Sequence, residues 1–157
     1  MLKNYSINTN KKIKKHEASY TPMKITLNNI QYEFRPQEGG AFVIANDYQG
    51  DIVIPAQIFV EGKPINVVGI AEDAFYGCDD VTSITLPEGL TTIEDSAFEN
   101  MSGLTEILIP ESVKHIGRSV FGTCENLQRA VLPSQLQSIP EDMFDDFANE
   151  QIMGLLR

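Results

Sequence analysis

The stretch Leu104-Thr105-Glu106-Ile107-Leu108-Ile109-Pro110 decides the fold. Ile107 and Ile109 alternate with Glu106 and Leu108, which is the period of a strand with one face turned to a core. Pro110 ends the strand, because proline has no N–H to give to a ladder. A second extended piece, Val113 to Ile116, turns a corner. The segment Arg118-Ser119-Val120-Phe121 then predicts a helical turn that inserts its Phe under the sheet.

Working outward, the same phrase returns every 23 residues. Ile70, Ile93, Ile116 and Ile139 form one column, and Phe75, Phe98, Phe121 and Phe144 another. Pro87, Pro110 and Pro133 keep the same register, as do Val81, Leu104 and Leu127. Ile84, Ile107 and Ala130 follow, then Leu86, Ile109 and Leu132, then Leu90, Val113 and Leu136. So many independent columns in one register define an internal repeat. One such unit cannot bury its own apolar row. Stacked units can, so the repeat predicts a solenoid whose strands lie side by side and parallel.

The phrases Ile70-Ala71-Glu72-Asp73-Ala74-Phe75-Tyr76-Gly77-Cys78 and Ile93-Glu94-Asp95-Ser96-Ala97-Phe98 resemble BspA-type leucine-rich repeats. The run from Leu104 to Gly117 is similar to them as well. Ordinary leucine-rich repeats place an Asn ladder at the bend after the strand. Here that place falls near Gly89, Ser112 and Gln135, a departure that itself resembles the BspA type. The resemblance covers residues 70–147 and implies a leucine-rich-repeat solenoid of the kind carried by bacterial and protist surface proteins. It further implies adhesion or host-protein contact, at a cell surface or after secretion.

Residues 24–69 read as an N-terminal β cap with an irregular first turn. Lys24 to Leu27 reads as a strand, and Ile30, Tyr32 and Phe34 alternate, as do Phe42 and Ile44, which predicts a hairpin across Pro36 to Gly40. Ile52-Val53-Ile54-Pro55 matches the strand-plus-proline element. Pro55 lies 15 residues before Ile70, against 6 from Pro87 to Ile93, so nine extra residues predict a second hairpin around Glu61-Gly62-Lys63-Pro64. An open solenoid end exposes apolar side chains and strand edges, so it needs such a cap. Residues 148–157 read as a closing segment. Phe144, Phe147, Ala148, Ile152 and Leu155 have helical spacing and favour a closing helix over a further strand.

Charge excludes some function classes. Residues 1–23 sum to +4 and the rest to −14. An acidic body repels phosphate, so no nucleic-acid partner is expected. The basic stretch reads as a solvated, disordered tail. It contains no apolar h-region, so no signal peptide is read, and no apolar run reaches the roughly 20 residues of a membrane span.

No catalytic constellation emerges. Cys78 and Cys124 share one column two coils apart, with Met101 between them. Coils stack at roughly 4.8 Å, so the two cysteines should be about 10 Å apart, beyond the reach of a disulfide. They read as part of a buried apolar row, with no His in the column to make a metal site. His115 falls in the exposed column of Thr92 and Ser138 with no triad around it, and His16 in the tail. The acidic pairs Asp79-Asp80, Glu94-Asp95, Glu141-Asp142 and Asp145-Asp146 sit at loop columns and read as solvated acids. Asn46 to Asp51 is loosely like a calcium loop but lacks the distal Glu, and reads as a turn. No cofactor and no metal site are therefore expected.

These readings converge on a non-catalytic protein-binding module. The outward strand positions form the columns Ser83/Glu106/Arg129 and Thr85/Leu108/Val131. A contiguous apolar row on a sheet face is a candidate contact patch. Glu106, Leu108, Arg129 and Val131 are the expected partner-binding residues, and the partner is expected to be a protein. An intracellular interaction or scaffold protein of the same fold is the alternative, and an enzyme is the remote one.

Overall fold

A computed structural model of the chain describes residues 22–136, 138–140 and 142–144. The basic tail, apart from its last two residues, and the closing helix expected beyond Phe144 lie outside these. The strands are β1 (Lys24–Leu27), β2 (Ile30–Arg35), β3 (Gly40–Val43), β4 (Gly50–Val53), β5 (Gln57–Val60) and β6 (Lys63–Ile70). They continue with β7 (Val81–Thr85), β8 (Thr92–Ile93), β9 (Glu106–Leu108), β10 (His115–Ile116) and β11 (Arg129–Val131).

The 23-residue period makes a coil with three sides. On the first, β4 pairs in parallel with β7, and β9 with β11, while β7 and β9 lie side by side. Glu106 stands opposite Arg129, Ile107 opposite Ala130 and Leu108 opposite Val131, which is the register the repeat predicts. On the second side β3, β6, β8 and β10 run parallel, with Ile70 beside Ile93 and Ile93 beside Ile116. The chain is thus a leucine-rich-repeat solenoid, with its core inside the coil.

The third side corrects the sequence reading. Among the described residues there is no α-helix, and the one short helix is a 3-10 turn at Pro36–Glu38. The expected helical turn at Arg118 to Phe121 is a run of tight turns. Alternate N–H groups close a turn or cross to the next coil. Ala74, Tyr76 and Cys78 donate to Ala71, Asp73 and Phe75, whereas Asp73, Phe75 and Gly77 donate to Asp95, Ala97 and Glu99. Ser96, Phe98 and Asn100 repeat this toward Arg118, Val120 and Gly122. Every buried N–H needs an acceptor, and this alternation supplies one without a helix. It requires left-handed backbone at two columns: Asp73, Ser96 and Ser119 (φ 57°, 57° and 53°), and Gly77, Asn100 and Thr123 (φ 68°, 58° and 50°). Asp73, Gly77 and Asn100 are residue types that adopt that conformation readily, whereas β-branched Thr123 is an unusual occupant.

Inside the coil the Phe column is a stack. Ring centroids of Phe75, Phe98, Phe121 and Phe144 are 5.6, 5.7 and 5.5 Å apart, with interplanar angles of 27°, 9° and 17°. Tyr48 extends the stack at 4.6 Å from Phe75, out of the 23-residue register. Its hydroxyl is buried but satisfied: it donates to the Ile44 carbonyl at 2.6 Å and accepts from the Gln31 N–H at 3.2 Å. The Ile column loses burial along the chain. Ile70 and Ile93 are buried, Ile116 is half-buried and Ile139 is 38% exposed. Among the described residues, strand pairing on that side runs no further than β10, and no ladder is described at Ile139.

The cap consists of hairpins on the N-terminal end. β1 pairs antiparallel with β2, and β2 with β3, which extends the second side beyond the first coil. β5 and β6 form the second hairpin, turning at Glu61 and Gly62 (φ 51° and 76°), a two-residue turn with both φ positive. Arg35 ties the cap to the repeats. Its guanidinium donates to Glu33 at 2.8 Å and to Glu94 at 2.6 and 3.3 Å, and lies 4.1 Å from the Phe42 ring centre.

Coils approach most closely where side chains are smallest. A Cβ on Gly103 would fall against the backbone carbonyls of Asp79 and Val81 in the preceding coil. Gly103→Ala is therefore expected to lower stability by about 1–3 kcal/mol through overpacking. Urea unfolding checks it, and an unchanged midpoint would mean that the coils can part at this point without cost.

Candidate binding face

The first side of the coil presents its outward residues to solvent. Leu108 is 60% exposed, while its neighbours Ile107 and Ile109 are buried. Val131 is half-buried beside it. Glu106 and Arg129 stand next to each other, 3.9 Å between charged atoms and both largely exposed. Such a solvated pair contributes little to stability, which leaves both groups available to a partner. The four residues named from the sequence thus lie on one patch, two strands wide.

The patch continues toward the cap. Val53 stands opposite Thr85 and is 66% exposed, so the column runs Val53, Thr85, Leu108, Val131, apolar except at Thr85. Phe59, on the neighbouring hairpin, is 63% exposed. The match of Ile52-Val53-Ile54-Pro55 to the strand-plus-proline element already contains this position, but the outward row stops at Thr85 in the sequence reading because the nine-residue insertion after Pro55 breaks the 23-residue register. Phe59 lies in the insertion and has no counterpart in any other coil.

Asp51 begins the polar column beside this row. Its carboxylate accepts hydrogen bonds from the hydroxyls of Thr82 and Ser83, both at 2.9 Å. The Ser83 and Thr82 hydroxyls hold it below the usual carboxylate range, so it is charged at neutral pH.

Three of the acids in these pairs have a more definite task than solvation, while Glu141, Asp145 and Asp146 lie outside the described residues. Asp79 accepts from the Ser102 N–H and hydroxyl, at 3.1 and 2.7 Å. Asp95 accepts from the Arg118 N–H at 2.8 Å, and Glu94 from the Glu72 N–H at 2.9 Å. Each carboxylate serves a backbone group one coil away. Ser112 does the same at the bend where other leucine-rich repeats place Asn. Its hydroxyl accepts from the Gly89 N–H at 3.0 Å and donates to the Leu90 carbonyl at 2.7 Å. Among the described residues no three His, Cys, Asp or Glu side chains converge as a metal site would require. His115 is exposed, in the β10 strand beside Thr92.

Cys78 and Cys124 are both half-buried, rather than fully buried like Met101 between them. The Cys78 thiol donates to the Asn46 carbonyl at 3.5 Å and the Cys124 thiol to the Phe98 carbonyl at 2.9 Å. Burial pushes the Cys78 thiol up, so it is protonated and unreactive at neutral pH. The two are expected not to pair with each other. A loss of two hydrogens on mild oxidation of the monomer, mapped to a Cys78–Cys124 bridge, would overturn the stacking order.

Comparison with known proteins agrees with this geometry. The family described as BspA type leucine rich repeat region matches residues 63–153, in six copies. A leucine-rich repeat protein from Bacteroides capillosus is similar in structure, with 20% identity and a TM-score of 0.71 over 80% of this chain and 95% of that one. The leucine-rich repeat protein of T. pallidum has 28% identity and a TM-score of 0.60, over 83% of this chain and 69% of that one. One from Eubacterium ventriosum has 20% identity and a TM-score of 0.66, over 86% of this chain and 33% of the other. No curated protein matches the chain. The repeat seen in the sequence, the stacked coils and the family match over more than half its length agree: this chain belongs to the BspA-type leucine-rich-repeat family.

Proposed function

We propose that the chain is a non-catalytic protein-binding module that receives its partner on the outward face of the first side, with Glu106, Leu108, Arg129 and Val131 as contacts. The observation that carries this reading is the exposure of Leu108 within a row that also holds Val53 and Val131. Most exposed apolar side chains need no explanation. A row of them in strand register, flanked by a charged pair, is the kind of surface that anchors an interface. The partner class is protein, because the acidic body disfavours nucleic acid. Adhesion or contact with a host protein, at a surface, is the finer role that the family implies. Among the described residues no helix is long and apolar enough to cross a membrane.

The test has two steps. Immobilised protein is used to capture partners from extracts of the organism and of any host. Amide hydrogen exchange of the purified complex then locates the contact. Slowed exchange confined to β9, β11 and the strands beside them supports the reading. Slowed exchange on the turns of the third side, with none on the strands, sinks it.

A further inference from the structure

The first side of the solenoid starts at β4, and among the described residues the near edge of that strand is unpaired. Along a strand in a parallel ladder, successive residues direct their N–H and C=O groups to alternate neighbours. Ile54 donates to the Thr85 carbonyl at 3.0 Å, so this residue faces β7. Alternation turns the backbone groups of Val53 and Asp51 the other way. Among the described residues β4 pairs with β7 and with no other strand. Later coils do not leave this edge open: Arg129 donates back to the Thr105 carbonyl at 3.2 Å, and β11 pairs with β9. On the second side, β2 covers the corresponding edge of β3.

Beside the β4 edge lies a cleft of about 430 Å³. The β1–β2 turn forms one wall and β4 with β5 the other. Its apolar lining includes Leu27, Ile30, Tyr32, Ile52, Val53 and Phe59, with Asp51 at the rim. An unpaired strand edge above an apolar cleft suits one shape of ligand, an extended chain that supplies its own backbone partners.

We infer that the β4 edge is a strand-addition site for an extended segment of a partner protein, carrying a basic residue beside Asp51 and apolar residues beside Ile52 and Val53. The side-chain order follows from the pleat. Asp51 and Val53 point outward, so the added strand places its neighbours of these two outward as well. The residue between them points into the cleft, onto Leu27 and Ile30. The charge is set by Asp51, whose carboxylate is exposed and ionised, and by a body with a sum of −14 outside residues 1–23. That body also repels a second copy of itself. This edge shares Val53 with the row that runs to Leu108 and Val131, but strand addition uses the backbone of β4 and needs neither of those two residues.

The experiment uses the full chain and two end-blocked peptides. The first has the core Lys-Ile-Val-Ile-Lys, which reads the same in either direction and so presupposes no orientation. The second replaces both Lys with Glu. Amide exchange at Asp51 and Val53 is followed during titration. The lysine peptide is expected to slow exchange at both amides, and to bind roughly tenfold more tightly than the glutamate peptide. Asp51→Lys should reverse that preference, and it needs no change in the core. Val53→Pro removes an N–H that faces the peptide and spares the β7 ladder, so it should weaken the lysine peptide with little change in melting temperature. No slowing with either peptide, or equal slowing with both, overturns the proposal. So does slow exchange at Val53 in the free chain that is lost when residues 1–21 are deleted, since the chain would then be filling its own edge. Slow exchange that is lost on dilution would assign the edge to a second copy, and overturns it too.

Discussion

Phe98→Ala is expected to lower the stability of the chain by about 3–5 kcal/mol, which is the usual range for truncating a buried Phe. Phe98 is fully buried and sits in the middle of the ring stack, with Phe75 on one side and Phe121 on the other. Truncation removes two ring contacts at once, each worth roughly 0.5–1.5 kcal/mol beyond area burial. It also leaves a gap between two coils that the backbone ladder holds in place, through Phe98 to Val120 and Phe75 to Ala97. The walls cannot close on it. An ordinary domain has only about 5–15 kcal/mol in total, so this one change should remove a large part of it. The control is Glu99→Ala, next in the chain but with its side chain only half-buried. That variant should stay within about 0.5 kcal/mol of the parent, as surface changes usually do. Urea midpoints measure both. Equal midpoints would show that the ring stack is not what holds the coils together.

Leu108→Glu combined with Val131→Glu should abolish partner binding on the proposed face and leave melting nearly unchanged. Leu108 is mostly solvated in the free chain, so a carboxylate there loses little. Val131 is half-buried, which makes it the more sensitive position for folding. Within a complex the two charges would face an apolar counterpart. An unpaired charge buried at an interface costs several kcal/mol, and each 1.4 kcal/mol is a factor of about ten in affinity. Glu106 is already acidic, so two further carboxylates crowd the same patch. The comparison to make is affinity against melting temperature for the same variant. If it binds its captured partner as the parent does, the contact lies on another side of the coil, and these four residues are not the site.

The sequence makes the periodic part of the structure legible and leaves the aperiodic part obscure, for a physical reason. Columns such as Ile70, Ile93 and Ile116 are repeated because each packs on its own copy, and repetition is what an eye or a count detects. Tyr48 does the same job as Phe75 but stands 27 residues before it, so the count passes over it. Val53 is hidden by the insertion in the same way, though it belongs to the row read from Thr85, Leu108 and Val131. The segment Arg118 to Phe121 reads as a helical turn because it is short, follows a corner and carries an inward Phe, and nothing local separates a helical turn from a run of tight turns. What decides against it is a set of hydrogen bonds to the next coil, and no local pattern reports them. A similar cause hides the task of three of the acids. Asp79, Glu94 and Asp95 each serve an N–H in a neighbouring coil, and a partner that distant in sequence leaves no mark nearby.

The alternating N–H pattern on the third side has a kinetic meaning. Each bond that crosses from one coil to the next joins residues about one repeat apart, as from Phe75 to Ala97 or from Phe98 to Val120. Loop closure in the search for the native state is therefore set by the length of one coil. It does not grow with the length of the chain. Adding coils to such a solenoid lengthens it without adding contacts of greater sequence separation. Folding can begin at any well-packed pair of coils and spread outward by one coil at a time.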